Sequence, residues 1–581
     1  MTSIIGNGIK AALIALLVTP YALQALPKAP SIEERVRELK LENGLTIVVA
    51  ERHNSPVFFT LSTFRVGSAQ ELPNRSGLAH FLEHMLFKGS KTVGTTNYKA
   101  EAPLIAEMEK VAGKVRDDMN LIQAWRYDKF EEYALKVRSG LPQEILDKAA
   151  GNEGLLWRAL LDSLPKNHNG LPADWLASEW VVQEGKHDHW TTYREILEGR
   201  AKVSDLMLEA KQYITESEPI DGIYDVRGSA SMNAFTTEDQ TTYMVGLPSN
   251  CLELYMYLES DRFQNPVFRE FYSEREVVME ELRNHENDPD NALWYKMIAT
   301  AFDAHPYGRP VIGWLGDIRS TLKTDMEAFF WQYYTPNNCQ IAIVGDVDTD
   351  EVFRLAKQYF SNWKAGQPSP AVTIVEPGQI GEKRTSVVRD AEPKVLIAYH
   401  IPTAPHPDAY ALSFAQSILS GGRTTRFYRK IFEEKGLTAG APSAFDGPSD
   451  RYPNLFIVEA APKAPHTTEE VEAAIYEEIE KLKSELVSEW EMERTKNRSR
   501  INELTRLADN RWMAFSLSGH FVKFGDWRTV VTEYNRNMAV TPEDIQRVAK
   551  KYLVKENRTV ATLVKPTVDQ AATPQLEGVA K

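Results

Sequence analysis

The sequence predicts an α+β protein of two homologous halves, each an antiparallel sheet packed by helices, with a linker between the halves. Three observations predict this fold. Short strand-like segments open the chain, helices with apolar spacing of 3.6 residues follow, and one pattern of helix, polar turn and strand ends each half. A chain of 581 residues is also too long for a single hydrophobic core.

The first half, residues 36–363, opens with three predicted strands. Val36–Leu41 and Leu45–Glu51 flank Asn43-Gly44, a strong hairpin signal, and Val57–Val66 follows. A polar loop leads to a helix that carries the segment HFLEHMLFKG. Residues 101–224 have helical spacing and few β-branched runs, and strand character returns at 229–248. The motif helix therefore follows directly on a sheet.

The Pro- and Gly-rich residues 364–383 predict a linker, and residues 384–566 form the second half before a tail at 567–581. The first half ends with helix Met326–Tyr334, the turn Pro-Asn-Asn and the strand QIAIVGDV. The second half ends in the same order of helix, polar turn with Asn and apolar strand, in TPEDIQRVAKKYL followed by KENRTVATLVKP. This repeated pattern indicates an internal duplication.

Residues 1–25 have the plan of a secretory signal peptide. Lys10 precedes the apolar run Ala11–Val18, and Pro20 and small residues follow it. The run is short for a bilayer span, so we expect an exported protein, in the bacterial periplasm, with no membrane span in the mature chain. An uncleaved inner-membrane anchor is the alternative.

The composition is that of a folded globular protein, with 43% hydrophobic and 25% charged residues. The net charge is −14 and no sustained Lys/Arg run occurs, which argues against a nucleic-acid partner. The sequence leaves open whether its two cysteines, Cys251 and Cys339, form a disulfide.

The segment HFLEHMLFKG places two histidines four residues apart. On a helix, His80 and His84 share one face and can bind one metal ion, while Glu83 lies beside them and can accept a proton from a metal-bound water. Zinc needs a third protein ligand and keeps one position open for that water. The alternative is a helix with two incidental histidines, but H-x-x-E-H arises by chance in only roughly one per cent of chains this long. The motif therefore predicts a zinc site.

The chain resembles the pitrilysin/insulinase family of inverted-motif zinc peptidases. Four segments carry the resemblance, in this order: HFLEHMLFKG, NAFTTEDQTTY, EREVVMEE and HPYGRPVIGW. This family includes mitochondrial processing peptidase and bacterial two-domain relatives. The resemblance implies an endopeptidase with one Zn²⁺ per chain, acting on short or unfolded polypeptides, whose second half is metal-free. A non-catalytic structural or core subunit of a peptidase-like complex is the alternative.

The resemblance also implies the third zinc ligand. In YSEREVVMEELRN it assigns Glu281 as the ligand and Glu274, seven residues earlier, as the carboxylate that orients a ligand histidine. Seven residues are two helical turns, so both carboxylates share a face. Glu280 is the neighbouring rival, but it breaks that spacing.

Family members bind substrate as an added strand at a sheet edge, which gives affinity with little sequence dependence. The corresponding residues are Ser231, Met232, Asn233, Ala234, Phe235 and Thr236. Asn233 and Ala234 are small enough for a peptide backbone to approach, whereas Phe235 fits a core position as well as a subsite wall.

Two features depart from the family pattern. Glu281 follows His84 by 197 residues, far more than in the family, so residues 101–224 are interpreted as an insertion. Its role as a lid, a docking surface or inert bulk stays open.

The second departure lies in FEEKGLTAG, residues 432–440. Glu433 and Ala439 occupy positions where complete family enzymes carry an Arg and a Tyr that contact the substrate carbonyl. Arg423, Arg426 and Arg429 have the wrong spacing to replace them. We therefore expect a hetero-oligomer with a metal-free homologous subunit, with a homodimer as the alternative.

Overall fold

The computed structural model describes residues 32–122, 124–150, 152–172, 182–183, 187–216 and 218–566. The predicted signal peptide and C-terminal tail lie outside these residues. The strands are β1 Val36–Lys40, β2 Thr46–Glu51, β3 Val57–Phe64, β4 Val182–Gln183, β5 His187–Asp188, β6 Ala230–Thr236, β7 Thr241–Pro248, β8 Cys339–Gly345, β9 Lys383–Val388, β10 Lys394–Ile401, β11 Ser443–Gly447, β12 Asn454–Ala460 and β13 Arg558–Val564.

The helices of the first half number fourteen in the described residues. They are α1 Ile32–Arg35, α2 Leu78–Met85, α3 Tyr98–Leu121, α4 Ala124–Ser139, α5 Gln143–Ala149, α6 Glu153–Ser163, α7 His189–Lys211, α8 Pro219–Val226, α9 Leu252–Gln264, α10 Phe271–Asn287, α11 Pro289–Ala301, α12 Leu315–Ser320, α13 Lys323–Tyr333 and α14 Thr349–Phe360.

The second half carries a π-helical segment and six α-helices. The π-helical segment is Phe427–Glu434, and the α-helices are α15 Pro407–Leu419, α16 Thr468–Ser484, α17 Glu489–Ala508, α18 Asn510–Phe524, α19 Thr529–Met538 and α20 Pro542–Tyr552. Between the halves, residues 364–382 form neither helix nor strand. The helices described throughout the chain include none that is both long and apolar enough to span a membrane.

Each half contains one large sheet with helices, and β4 and β5 form a separate two-stranded sheet in the first half, so the α+β class is confirmed. The strand orders are β1-β2-β8-β3-β7-β6 and β11-β12-β10-β13-β9. The prediction of antiparallel sheets is wrong for one pair in each half, because β2–β8 and β9–β13 are parallel. The last strand of each half lies between two consecutive strands that run in opposite directions. It must therefore be parallel to one of them and antiparallel to the other.

The duplication extends to single hydrogen bonds. The Asn338 side chain donates to the Tyr333 carbonyl at 2.9 Å, between α13 and β8. The Asn557 side chain donates to the Tyr552 carbonyl at 2.8 Å, between α20 and β13. In both halves an asparagine thus fixes the turn that leads into the inserted strand.

Each sheet is covered on its second face by a helix from the other half. Met513, Ala514 and Leu517 of α18 pack with the apolar side chains of β2, β3 and β8. Leu293 and Met297 of α11 pack in return with those of β10, β12 and β13. The two halves therefore share their cores. Cys251 and Cys339 are buried free thiols.

The predicted insertion, residues 101–224, contains a helical layer with its own core. Phe130 of α4 packs against Trp190 and Tyr193 of α7, with ring centroids 5.4 and 5.3 Å apart. Helix α7 also lies along α3, which follows the motif helix in the chain.

Helix α2 is fixed at both ends by buried ionisable side chains. At its start, the fully buried Glu71 accepts hydrogen bonds from the backbone N–H groups of Gly77 and Ala79, at 3.0 and 2.7 Å. Burial raises the pKa of Glu71 to about 8, although the hydrogen bonds from these two backbone donors lower it. Beyond its end, the Arg269 guanidinium (1% exposed) donates to the carbonyls of Lys88, Ser90 and Val93. These contacts hold the motif helix in one position.

We predict that Leu517→Ala destabilises the whole chain in one unfolding transition. Leu517 is fully buried at the contact between the halves, and truncating such a side chain costs about 2–5 kcal/mol. Differential scanning calorimetry measures the effect, with Leu504→Ala, at a 68% exposed position of α17, as the control. Two separate transitions, only one of them shifted, would contradict the shared core.

We also predict that Glu71→Ala lowers the free energy of unfolding by about 1–3 kcal/mol, because two backbone donors at the start of α2 lose their buried acceptor. Urea unfolding measures the change. Leu72→Ala, at the next residue and 67% exposed, is the control, and equal stability of the two variants would refute the capping role.

Candidate metal-binding and catalytic site

Two helices distant in sequence bring the predicted metal ligands together. One ligand atom from each of His80, His84 and Glu281 lies within 4.8 Å of the others. The His80 and His84 Nε2 atoms are 3.8 and 3.6 Å from the two carboxylate oxygens of Glu281. Burial, followed by the neighbouring histidines His84 and His285, lowers the pKa of His80 to about 3 and keeps its imidazole neutral. Among the described residues, its buried Nδ1 has no hydrogen-bond partner.

Glu274 lies against the second histidine of the motif, His84. Its Oε1 is 2.9 Å from His84 Nδ1, and its Oε2 is 2.8 Å from the buried Lys88 ammonium. Burial raises the pKa of Glu274, but the hydrogen bonds from His84 and Lys88 outweigh it and hold the pKa at about 2. The same contact raises the pKa of His84 in spite of burial. Lys88 is a site residue that the sequence did not indicate.

Glu83 is buried beside the cluster, with 8% of its surface exposed. Its Oε2 accepts a hydrogen bond of 2.6 Å from the Thr236 hydroxyl. Burial raises the pKa of Glu83 to about 7, although the Thr236 hydroxyl lowers it. A carboxyl group with this pKa exchanges its proton near neutral pH, which suits a general base.

Strand β6 is the edge of the first sheet, and in the described part of the chain it pairs with β7 alone. Its pairing with β7 is irregular between Ala230 and Asn233, where Ser231 has a φ of +56°. The Ser231 and Asn233 side chains are exposed, Met232 is half-buried and Ala234 is buried.

Phe235 and Thr236 lie on opposite faces of the sheet. Phe235 stacks on Phe515 of α18 with centroids 6.0 Å apart, so it is part of the packing between the halves. Thr236 contacts Glu83 instead. The end of β6 therefore contacts Glu83, the candidate general base. The alternation of side chains along a strand cannot predict this contact, because it depends on the position of α2.

Two other side chains of α10 clarify the ligand set. Glu280 is exposed and pairs with Arg283 at 2.8 Å, so it is outside the cluster. His285 lies one turn after Glu281, with its Nε2 3.8 Å from Glu281 Oε1 and its Nδ1 3.2 Å from the Tyr295 hydroxyl. The spacing of four residues between Glu281 and His285 was a signal for this contact.

The second half holds Glu433 within its π-helical segment and Ala439 just beyond it. Nearby, Arg426 makes a two-fold ion pair with Glu491, at 2.7 and 3.1 Å. This guanidinium is therefore engaged within its own half.

Two family models match the chain. One, described as "Insulinase (Peptidase family M16)", matches residues 48–147 and 209–314. The other, described as "Peptidase M16 inactive domain", matches residues 321–499. Residues 148–208, within the predicted insertion, fall between the matched stretches of the first model.

Curated relatives carry peptidase names. An uncharacterized zinc protease of Mycobacterium leprae is 28% identical over 76% of this chain and 98% of its own length. The zinc protease PqqE of Helicobacter pylori is 28% identical over 58% of this chain and 76% of its own. A probable β subunit of mitochondrial processing peptidase from Arabidopsis thaliana is 24% identical over 59% and 66% of the two chains.

Solved structures share the fold. A protease from Helicobacter pylori superposes with a TM-score of 0.66 at 20% identity, covering 91% of this chain and 99% of the other. The periplasmic protease PqqL from Escherichia coli gives a TM-score of 0.61 at 14% identity, covering 91% of this chain but 48% of PqqL.

The fold, the inverted histidine motif and the resemblance to pitrilysin and insulinase now agree with independent matches. The two family models together cover more than half of the chain, the first within residues 48–314 and the second over residues 321–499. This chain belongs to the M16 family of peptidases.

Proposed function

We propose that the chain is a zinc-dependent endopeptidase that hydrolyses peptide bonds in short or unfolded polypeptides. The observation that carries the proposal is the convergence of two imidazoles and a carboxylate within 4.8 Å, next to a buried glutamate. Zinc proteases among the relatives support it.

The donor set fits one zinc ion. Zinc takes nitrogen and oxygen ligands at about 2.0–2.1 Å in tetrahedral geometry, which separates ligand atoms by about 3.4 Å. The 3.6–3.8 Å separations between Glu281 and the two histidines are close to this value. His80, His84 and Glu281 would thus hold the metal and leave a fourth position. Bound there, zinc supplies Lewis acidity to a water molecule and to the scissile carbonyl.

The protein side chains supply the proton transfer and the orientation. Glu83 accepts the proton of the attacking water and passes it to the leaving amine. Thr236 donates to one oxygen of Glu83 and so restricts the orientation of the carboxylate. Glu274 accepts from His84 Nδ1, which leaves Nε2 as the ligand atom, and Lys88 balances the charge of Glu274.

Substrate binding is proposed at β6, through residues 231–236. A peptide that pairs with this edge strand gains main-chain hydrogen bonds irrespective of its sequence. Since Thr236 contacts Glu83, a peptide strand along β6 leads to the catalytic base. This position connects affinity for extended chains with cleavage.

The complete chamber is proposed to need a second chain. Glu433 and Ala439 stand where an Arg and a Tyr would contact the substrate carbonyl, and Arg426 is held by Glu491. This chain covers 48% of PqqL but 92% of a structure of the first half of PqqL. These shares support the proposal that the chain is one half of such a chamber. A metal-free homologous subunit is the proposed partner. PqqL is periplasmic, which supports the same location here.

The second candidate function is a non-catalytic subunit of a peptidase-like complex. The match of residues 321–499 to a model described as an inactive domain favours it. The presence of all the metal-site residues favours the peptidase.

The test is cleavage of a quenched fluorogenic, unstructured peptide by the zinc-loaded mature chain and by its Glu83→Gln variant. We expect the variant to lose about 10²–10⁴-fold in rate while it retains one zinc per chain, because only the base is removed. A metal chelator should abolish cleavage and added zinc restore it. A Glu83→Gln variant as active as the wild type would refute the mechanism.

The same assay tests the partner. If the chain alone cleaves the peptide, Glu433 and Ala439 do not disable it and the proposal of a metal-free partner fails. The molecular mass in solution then tests the alternative, a homodimer. If the zinc-loaded chain cleaves only with a metal-free homologue added, the proposal is supported. Zinc binding without cleavage in every combination would favour the non-catalytic subunit.

We predict that Thr236→Val moves the acid limb of the pH profile of kcat/KM to higher pH. The hydroxyl stabilises the ionised form of Glu83, so its loss raises the pKa of this carboxyl group further above its ordinary value. The base is then protonated, and inactive, up to a higher pH. Thr236→Ser keeps the hydroxyl and should keep the wild-type profile; superimposable profiles for Val and Ser would contradict the contact.

A further inference from the structure

A cavity of about 550 Å³ lies between the helical insertion and helix α10. Its walls come from α3, α4, α6 and α7 on one side and from α10 and the segment 319–323 on the other. This volume is within the range of about 300–1,000 Å³ in which proteins hold small-molecule ligands. The insertion therefore encloses space as well as packing on the peptidase fold.

We propose that this cavity binds an anionic amphiphile, a single acyl chain that ends in a carboxylate, between the apolar side chains of the insertion and the guanidinium of Arg275. The proposal is independent of catalysis, since it concerns the opposite face of α10 from the metal cluster.

The wall of the cavity is mostly apolar where the insertion contributes. Facing helices α3, α6 and α7 provide the aliphatic and thioether side chains Ile105, Met108, Val115, Met119, Leu160, Val203 and Met207. Methionines adapt to flexible ligands because their side chains are unbranched. An acyl chain bound here would cover this apolar surface and remove it from water, which favours binding.

Charged side chains line the cavity from both sides: Arg116, Glu131, Arg138, Glu153 and Arg200 from α3, α4, α6 and α7, and Arg275, Glu276 and Arg283 from α10. The Arg275 side chain is 17% exposed, and its Nε is buried without a hydrogen-bond partner among the described residues. One terminal nitrogen donates to the Thr321 carbonyl at 3.3 Å, and the carboxylate of Glu276 is 3.9 Å from the other. The Glu276 carboxylate is therefore too distant for a hydrogen bond, and the Tyr272 ring centroid lies 5.1 Å from the guanidinium carbon.

The other arginines beside it already have acceptors. Arg200 pairs with Glu131 at 3.2 Å, and Arg319 pairs with Asp128 at 3.3 Å. Burial lowers the pKa of Arg275 below its ordinary value and outweighs Glu276 and Tyr272, which raise it; Arg200 adds to the lowering. A ligand carboxylate would supply the missing two-fold hydrogen bonding.

The helix separates this cavity from the metal cluster. Arg275, Met279 and Arg283 line the cavity, and their positions on α10 are roughly 100–180° around the helix from Glu274. Glu274 and Glu281 face the histidines. One helix therefore has the ligand cavity on one side and the third metal ligand on the other.

The experiment is isothermal titration of the full mature chain with dodecanoate below its critical micelle concentration. We expect one site per chain. Butyrate, with the same head and a short chain, and dodecyltrimethylammonium, with the same chain and a cationic head, should each bind at least about tenfold more weakly. Equal binding of the cationic analogue would overturn the role of Arg275.

Two variants locate the site. Arg275→Gln removes the cation, and Ser204→Trp fills the cavity from α7 without a change of charge; each should weaken dodecanoate binding at least about tenfold. Arg354→Gln, at an exposed arginine of α14 that is paired with Glu351, is the control and should bind as the wild type does. Melting curves by circular dichroism identify any variant that fails to fold, and the other variant then decides.

Unchanged binding in both variants would place dodecanoate elsewhere and refute the proposal, as would no binding to the wild type. The Glu83→Gln variant should bind dodecanoate with wild-type affinity. This arm distinguishes a failure of the ligand site from a failure of the proposed peptidase function.

Discussion

The hydrogen bond between His84 Nδ1 and Glu274 Oε1 joins the two helices that build the site. It connects residues 190 positions apart in the chain, and the ion pair of Glu274 with Lys88 reinforces it. Because this contact fixes the rotation of α10 against α2, it also sets the place of Glu281 opposite His80 and His84. The cluster depends on this register, and the buried Glu71 and Arg269 hold α2 where the register requires it.

Each half packs one helix on the sheet of the other half, and this packing supports the strand at the site. The sheet that carries β6 is covered by α18 on its second face, and Phe515 of that helix stacks on Phe235 of the edge strand. The position of the edge strand therefore depends on the second half as well as on the first. The second half thus contributes, through Phe515, to the position of the strand that contacts Glu83.

Local patterns in the sequence predicted much of this structure. The spacing of His80, Glu83 and His84 defines one helix face. The resemblance to the family selected Glu274 and Glu281, and their spacing of two helical turns places them on one face of another helix. The duplication was visible because helix, asparagine turn and strand recur as contiguous segments.

Contacts between distant segments were not accessible in the same way. The parallel pairs β2–β8 and β9–β13 arise from strand insertion, which strand patterns do not encode. The contact of Thr236 with Glu83 requires the relative position of a strand and a helix 153 residues apart. Nothing in the sequence singles out Lys88 or Arg275, and only the fold places Lys88 against Glu274 and Arg275 at a cavity.

The insertion of β8 between β2 and β3 has a consequence for biosynthesis. During synthesis the first strands emerge about 280 residues before the strand that completes their sheet, and α18, which covers its second face, follows later still. The apolar surfaces of β2, β3 and β7 consequently stay without their final partners until most of the polypeptide has been made. Folding of this chain therefore depends on strand pairing between distant segments that forms late.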